Sequence, residues 1–238
     1  MKPLLALAFL AVLTLPASAQ AVPPEQPWFS QPLTAFLDNP KPTVLGWSRR
    51  GAAALLVPVD GGGRGGPVVR LLLVDAVGDK VLFDKTLWGD EYDLSYADSG
   101  LMVRNMEESD DALTFIEACY DQGMQPADIG AGGMSAFPLS FENSQITASA
   151  DNTPGKDNDA GFHALDYRVT VASSARGKKT IAERHADQAW QAEVEGYFLS
   201  PFEPRILVVY TVSEPGFEGE RPKTYYVSGC HLRVGFSR

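Results

Sequence analysis

A mostly β fold of the α+β class is predicted for this 238-residue chain from three observations. First, the 22 glycines and 17 prolines, with many aromatic and β-branched residues, are typical of short strands joined by turns. Second, the apolar runs within residues 43–87 are interrupted at regular intervals by turn residues. Third, one clear segment, residues 105–122, has the spacing of an amphipathic helix. We therefore expect antiparallel β meanders, either sandwich-like or forming a partial propeller, with one helix near residues 105–122.

Residues 1–19 have the layout of a secretory signal peptide. One lysine precedes an unbroken apolar segment, Leu4 to Leu15, and the small residues Ala17, Ser18 and Ala19 follow. The apolar segment is too short to cross a bilayer as a permanent anchor. We expect cleavage between Ala19 and Gln20, and hence a periplasmic or secreted protein with no membrane anchor after cleavage.

The chain is acidic, with a formal net charge of -10 at pH 7. An acidic surface repels nucleic-acid phosphates and anionic lipid headgroups, which argues against nucleic-acid and membrane-surface binding. We expect no nucleic-acid partner. The partner is predicted to be an envelope protein or a small ligand, whose identity the sequence does not reveal.

After the leader, the sequence divides into a proline-rich arm, residues 20–42, and a single β-rich domain, residues 43–238. Proline lacks a backbone donor and favours extended conformations, so the arm has no predicted regular element. Within the domain, two β modules, residues 43–104 and 134–238, are expected to flank the helix in the sequence.

In the first module, residues 43–87 are predicted to form a four-stranded antiparallel meander. Residues 52–59 and 68–74 are apolar at nearly every position, which is typical of strands buried on both faces. Pro58 cannot donate to a ladder, so we expect it at an edge or a bulge. The Gly-rich segment between these strands is interpreted as a hairpin turn, because a strand rather than a helix follows it.

In the helical segment, Asn105 is a candidate N-cap and Gly123 a candidate stop signal. The apolar residues Ala112, Phe115 and Ile116, followed by Cys119, fall on one face. Cys119 is therefore predicted to point into the core.

The second module is predicted to begin with a hairpin that turns at residues 142–144. Residues 151–161 are interpreted as a solvated turn, since they lack the glycine and glutamate that a calcium loop requires. Alternation of apolar and polar residues then predicts strands over residues 165–171, 180–183 and 190–196, and dense apolar runs predict strands over residues 205–212 and 224–236.

Cys119 and Cys230 are the only cysteines. In an oxidising compartment they could form a disulfide, which would close a loop of roughly 110 residues and constrain the unfolded chain. Alternatively, they are two separately buried thiols, because cysteine is among the most buried residue types. The sequence leaves both alternatives open.

The segment GWSRRG, residues 46–51, resembles the hairpin that opens a blade in propeller-like proteins. Together with Ser200-Pro201-Phe202-Glu203, Arg205 and Gly216-Phe217-Glu218-Gly219, it is similar to an uncharacterised family of predicted secreted bacterial proteins. This resemblance implies export and a β-rich fold. It supplies no catalytic residues.

Signals of catalytic chemistry are weak. His163, His185 and His231 are scattered, and none lies in a zinc-binding spacing. A Cys119–His185 pair is disfavoured because Cys119 faces inward. No cofactor and no metal site are predicted, and the catalytic and binding residues are unknown from the sequence.

The leading interpretation is an exported, non-catalytic binding or envelope-associated module. The alternative is a periplasmic hydrolase whose acid and base are His and Asp/Glu residues. A concave pocket where one of the three histidines meets carboxylates would favour the hydrolase. Carbohydrate binding would need at least two of the four tryptophans, Trp28, Trp47, Trp88 and Trp190, to be coplanar and exposed.

Overall fold

The computed structural model describes residues 41–59, 68–87, 110–124, 133–157, 163–216 and 221–237. Within these ranges the chain is mostly β, as predicted, with three antiparallel sheets and a single helix. The signal peptide, its cleavage site at Ala19 and Gln20, and residues 20–40 of the proline-rich arm lie outside the described residues. The elements in chain order are β1 Thr43–Trp47, β2 Ala52–Val59, β3 Val68–Asp75, β4 Lys80–Leu87, α1 Asp110–Asp121, β5 Leu139–Phe141, β6 Ser144–Asp157, β7 His163–Ser173, β8 Gly177–Ala186, β9 Gln191–Leu199, β10 Arg205–Ser213 and β11 Lys223–His231.

The first sheet is the predicted meander, with strand order β1-β2-β3-β4. Strands β2 and β3 are buried on both faces, which explains their nearly continuous apolar sequence. Strand β1 begins at Thr43, opposite Leu56, so Pro58 lies beyond the end of β1. This edge position tolerates the missing backbone donor of proline, as expected.

Helix α1 covers one face of the first sheet. Phe115 and Cys119 are fully buried against that face, and the Phe115 ring lies 5.3 Å from the ring of Phe83 in β4. Gly123 ends the helix in the left-handed region, at φ +76°, and its N–H donates to the carbonyl of Tyr120. The inward face and the glycine stop are both confirmed, whereas the proposed cap, Asn105, lies outside the described residues.

The second sheet, with strand order β11-β10-β9, is the middle layer of the molecule. Every residue of its central strand, β10, is buried. Leu207 and Val209 pack against the face of the first sheet that α1 leaves uncovered, and the alternating residues Val208 and Tyr210 pack against the third sheet. A strand with cores on both sides has no solvent face, so its sequence is continuously apolar.

The third sheet has strand order β5-β6-β7-β8 and forms the outer layer. The predicted hairpin is present, with Glu142 in the left-handed region of its turn at φ 51°. In β7, Tyr167 and Val169 point into the core while Asp166 and Arg168 face outward, as the alternation predicted. The three sheets therefore stack face to face, which is the sandwich-like arrangement.

The prediction of a solvated turn over residues 151–161 was wrong for its first half. Strand β6 continues to Asp157 and pairs with β7, for example through Asn152 opposite Tyr167. Residues 151–156 are exposed, so this part of the strand has no apolar alternation that a sequence pattern could detect. Backbone pairing extends the strand. In addition, Nδ2 of Asn152 donates a hydrogen bond to the Ala192 carbonyl, and Oδ1 of Asn152 accepts one from the Ala192 N–H. The closing strand is likewise shorter than predicted, because β11 ends at His231.

The two cysteines lie in different cores. Cys119 is buried between α1 and the first sheet, whereas Cys230 is buried between the second and third sheets. Both are free thiols, so the disulfide alternative is wrong for this structure and the two-thiol alternative is the one observed. Burial raises the pKa of Cys119 to about 12 and that of Cys230 to about 11.

The β3–β4 turn joins the first sheet to the second through a close backbone contact at Gly229. A Cβ atom built on Gly229 would lie 2.0 Å from the carbonyl oxygen of Ala76. The same carbonyl accepts a hydrogen bond from the buried Arg205, and the Asp79 carboxylate accepts one from the Gly229 N–H at 3.0 Å. Glycine at this position therefore permits the two sheets to meet.

Among the described residues, no helix is long and apolar enough to cross a membrane.

Candidate functional site

The solvent side of the third sheet contains a shallow depression of about 470 Å³. It lies over strands β6, β7 and β8. Because directly opposed residues of antiparallel strands share a face, the register places two polar rows across it. The first row is Asp151, Arg168 and Glu183, and the second is Thr153, Asp166 and His185. We call these six residues the polar face; Tyr167 and Arg184 complete the lining.

The first row contains an ion pair between β7 and β8. The Arg168 guanidinium lies 2.7 Å from Oε1 of Glu183, and this hydrogen bond raises the pKa of Arg168. Both side chains are more than half exposed, so the pair contributes little to stability. Its consequence is to fix the orientation of both side chains, while Asp151 remains at the end of the row as a further carboxylate.

The second row brings a histidine against carboxylates. Nδ1 of His185 lies 2.7 Å from Oδ1 of Asp166, and Nε2 lies 3.4 Å from Oδ1 of Asp187. The hydrogen bond to Asp166 is the main cause of a raised pKa for His185, with smaller contributions from Asp187. Because a carboxylate faces each ring nitrogen, the arrangement favours the imidazolium form.

On the inner side of the same strands, Arg184 and Tyr167 point toward the second sheet. The Tyr210 hydroxyl is buried there and forms no well-aligned hydrogen bond with any described residue. It nevertheless lies close enough to the Arg184 guanidinium to be the main cause of a raised pKa for Arg184. The pKa of Tyr167 is also raised, chiefly by burial. Tyr210 does not line the depression, whereas Tyr167 belongs to its lining.

The other two histidines lie elsewhere. His163 begins β7, and its ring meets the Trp190 ring edge-on at 5.5 Å. His231 ends β11, where Nδ1 accepts a hydrogen bond from the Arg233 N–H, and burial followed by the charge of Arg205 lowers its pKa. The three histidines therefore do not converge, and within the described ranges no group of three potential ligands could hold a metal ion.

The Cys119–His185 pair is not formed. Cys119 is buried beneath α1, on the opposite side of the first sheet from the two other sheets, whereas His185 lies on the outer surface of the third sheet. The sequence reasoning against this pair is confirmed.

The tryptophan platform finds no support in the described residues. Trp47 is buried in the core between the first and second sheets. Trp190 is partly exposed, and the Arg221 guanidinium covers its ring at 4.8 Å. Trp28 and Trp88 lie outside the described residues.

The polar face was missed as a site by sequence reasoning, although its strands were expected. The sequence indicates Asp166 and Arg168 only as the solvent-exposed face of β7, and Glu183 only as part of the strand that pairs with it. The signal was present in the repeated polar alternation, because Glu183 and His185 occupy alternate positions just as Asp166 and Arg168 do. Only the register shows that these four side chains and Asp151 share one face.

Comparison of the chain with protein-family models, with curated protein sequences and with solved structures finds no match. The resemblance to secreted bacterial proteins therefore stays a prediction, and the site must be interpreted from its own chemistry.

Proposed function

We propose that the protein is a non-catalytic binding module of the cell envelope and that the polar face holds a small polar ligand. The observation that carries this proposal is the convergence of six polar side chains over one depression of a paired sheet. A β-sheet positions side chains rigidly, which favours recognition because little order must be gained on binding.

The charge of the depression indicates the class of ligand. Asp151, Asp166 and Glu183 provide three carboxylates, of which Glu183 is paired with Arg168 and Asp166 with His185. Among the described residues this leaves the Asp151 carboxylate without a paired cation, as a free hydrogen-bond acceptor. Such a surface suits a ligand that donates hydrogen bonds, namely a neutral or cationic molecule with hydroxyl and amine groups.

Titration with an amino sugar tests the proposal. Glucosamine, compared with uncharged glucose, is added to the isotope-labelled protein while backbone amide resonances are followed by NMR. We expect saturable shifts confined to β6, β7 and β8, and larger shifts with glucosamine. Shifts spread over all three sheets, or the absence of saturable shifts with both sugars, would contradict the proposal.

Asp151→Asn is the informative variant, because it removes one carboxylate of the polar face that no described side chain pairs with a hydrogen bond. We expect it to weaken glucosamine binding severalfold. The matched control is Asp121→Asn, which removes an exposed carboxylate at the end of α1, on the far side of the molecule. The control should bind like the unmodified protein.

A hydrolase is the second candidate, and one observation favours it: His185 meets Asp166 at 2.7 Å beside a depression. A histidine oriented by a carboxylate can act as a general base. However, the remaining nitrogen of His185 faces Asp187, and neither serine nor cysteine lines the described depression. This geometry supports proton transfer to water less well than it supports binding.

Chromogenic esters and glycosides separate the two candidates. If the protein is a binding module, hydrolysis by the unmodified protein equals that by His185→Asn at every pH from 5 to about 9, the range over which a histidine changes charge. A rate that His185→Asn abolishes, with a pH profile that follows the titration of His185, would establish the hydrolase instead.

A further inference from the structure

One end of the molecule carries a cluster of basic side chains on three adjoining segments. Arg176 lies in the β7–β8 turn, Lys178 and Lys179 begin β8, and Arg233 follows β11. These four residues, which we call the basic tip, are held together by backbone hydrogen bonds in both directions between Lys178 and Ser237. The segment that follows β11 is thereby fixed alongside β8.

A single carboxylate organises the two arginines. Glu142, in the β5–β6 turn, accepts a hydrogen bond from Nε of Arg233 at 2.8 Å and another from the guanidinium of Arg176. The same two guanidinium groups each lie 5.9 Å from the centre of the Phe141 ring. Both arginines are therefore oriented before any partner arrives, which lowers the entropy lost on binding.

The basic tip has an excess of positive charge. Among the described residues, Glu142 is the one carboxylate that forms ion pairs with the basic tip, and Lys178 and Lys179 form none. Within the described residues the four positive charges of the basic tip thus exceed its one carboxylate by three, in a chain whose formal net charge is -10. Arg233 is 57% exposed and uses only Nε on Glu142, so its terminal N–H groups are available.

The shape of this end of the molecule favours binding to an extended surface over binding of a small molecule. The basic tip consists of strand ends and turns, and none of its residues lines the depression on the third sheet. Val234, beside Arg233, is 58% exposed, so an apolar side chain projects among the cations. Anionic lipid headgroups attract the basic residues, and an exposed apolar side chain beside them can insert at the headgroup boundary.

We propose that the basic tip docks the protein peripherally on a membrane surface rich in anionic lipids. The net charge of the whole chain argues against this partner, but charges more than about 8–10 Å from the surface are screened at physiological ionic strength. The local excess of positive charge at the basic tip therefore determines whether this end is attracted to the membrane. This surface is separate from the polar face, and the inference is independent of the ligand proposed for that face.

Co-sedimentation of the full chain with lipid vesicles tests the proposal. Vesicles of phosphatidylglycerol mixed with phosphatidylcholine are compared with vesicles of phosphatidylcholine alone, at low and at high salt. We expect binding to the anionic vesicles that falls with added salt, and little binding to the neutral ones. Equal binding to both vesicles, or binding that ignores salt, would overturn the proposal.

Single-charge variants locate the contact. Arg233→Gln and Lys178→Gln should each weaken binding to anionic vesicles about fivefold, as expected for losing one basic residue near an anionic surface. The matched control is Lys156→Gln, which removes the same charge from an exposed position of β6, roughly 40 Å along the strand from the β5–β6 turn. The control should bind normally, and an equal loss in Lys156→Gln would show that the attraction is not at the basic tip.

Two competitors separate lipid from other anions. Inorganic phosphate and an acidic peptide, poly-glutamate, are added at ionic strengths matched by sodium chloride. If the basic tip recognises a lipid surface, neither displaces the protein more than sodium chloride does. Displacement by phosphate would instead identify an oxyanion site, and displacement by poly-glutamate would identify an acidic protein segment as the partner. Thermal unfolding midpoints of all variants should match that of the unmodified protein.

Discussion

His185 and His231 have surroundings that shift their pKa values in opposite directions. A hydrogen bond to Asp166 raises the pKa of His185, whereas burial and Arg205 lower that of His231. In an NMR titration of the ring protons we expect His185 to titrate above, and His231 below, the ordinary value near 6.5. Asp166→Asn should move only His185 downward. Titration of both rings at the same pH would contradict these assignments.

The two shifts have opposite consequences for stability. For His185 the folded state binds the proton more tightly, so its contribution is fully present below the unfolded pKa and is lost as the pH rises through the folded pKa. For His231 the folded state disfavours the proton, so its contribution is present above the unfolded pKa and is lost as the pH falls through the folded pKa. His185 is 55% exposed, so solvent screening weakens its contribution.

Tyr210 is fully buried, and its hydroxyl lacks a well-aligned hydrogen bond. An unpaired buried hydroxyl carries a desolvation penalty of about 1–3 kcal/mol, which phenylalanine would avoid while keeping the ring stacked on Tyr226 at 5.7 Å. We expect Tyr210→Phe to leave the free energy of unfolding unchanged or to raise it by about 1 kcal/mol. Urea denaturation measures this change. A marked loss of stability would mean that Arg184 donates a strong hydrogen bond to the phenol.

The thiols of Cys119 and Cys230 are fully buried and have raised pKa values. Since the thiolate is the reactive form, both should resist iodoacetamide in the native protein. In denaturant without reductant, intact mass should show both cysteines alkylated. A protein that takes up no label under the second condition would have formed the disulfide.

At the scale of elements, the contact between the β3–β4 turn and β11 depends on Gly229. An added Cβ would meet backbone of Ala76, which cannot rotate away as a side chain could. We expect Gly229→Ala to lower the free energy of unfolding by about 3 kcal/mol. Gly133→Ala is the control, because nothing lies within 4 Å of its Cβ position, and a change of less than about 0.5 kcal/mol is expected there. Equal effects in both variants, measured by urea denaturation, would refute the importance of the close contact.

Elements with a buried face were predictable, and elements without one were not. The helix face at Phe115 and Cys119, the glycine stop and the alternation in β7 follow from burial of apolar side chains, and the structure confirms them. The exposed extension of β6 beyond Ala150 buries little, so its sequence carried no such pattern. Its backbone pairing with β7 depends on a partner strand that local sequence does not specify.

At the scale of the whole molecule, the class of fold was predictable but the stacking of its sheets was not. Continuous burial of β10 was evident from residues 205–212, yet the sequence does not say which sheets cover its two faces. The polar face has the same limitation. In the sequence, His185 is one of three scattered histidines, and only the β7–β8 register shows that it lies opposite Asp166.

The central position of β10 constrains when the protein can fold. Both inter-sheet cores include side chains of β10, and that strand begins at Arg205, after all strands of the first and third sheets. A growing chain that stops before this point exposes the inner surfaces of the first and third sheets at the same time. Folding of both cores must therefore await synthesis of β10, and until then the nascent chain presents two uncovered apolar sheet faces that favour aggregation.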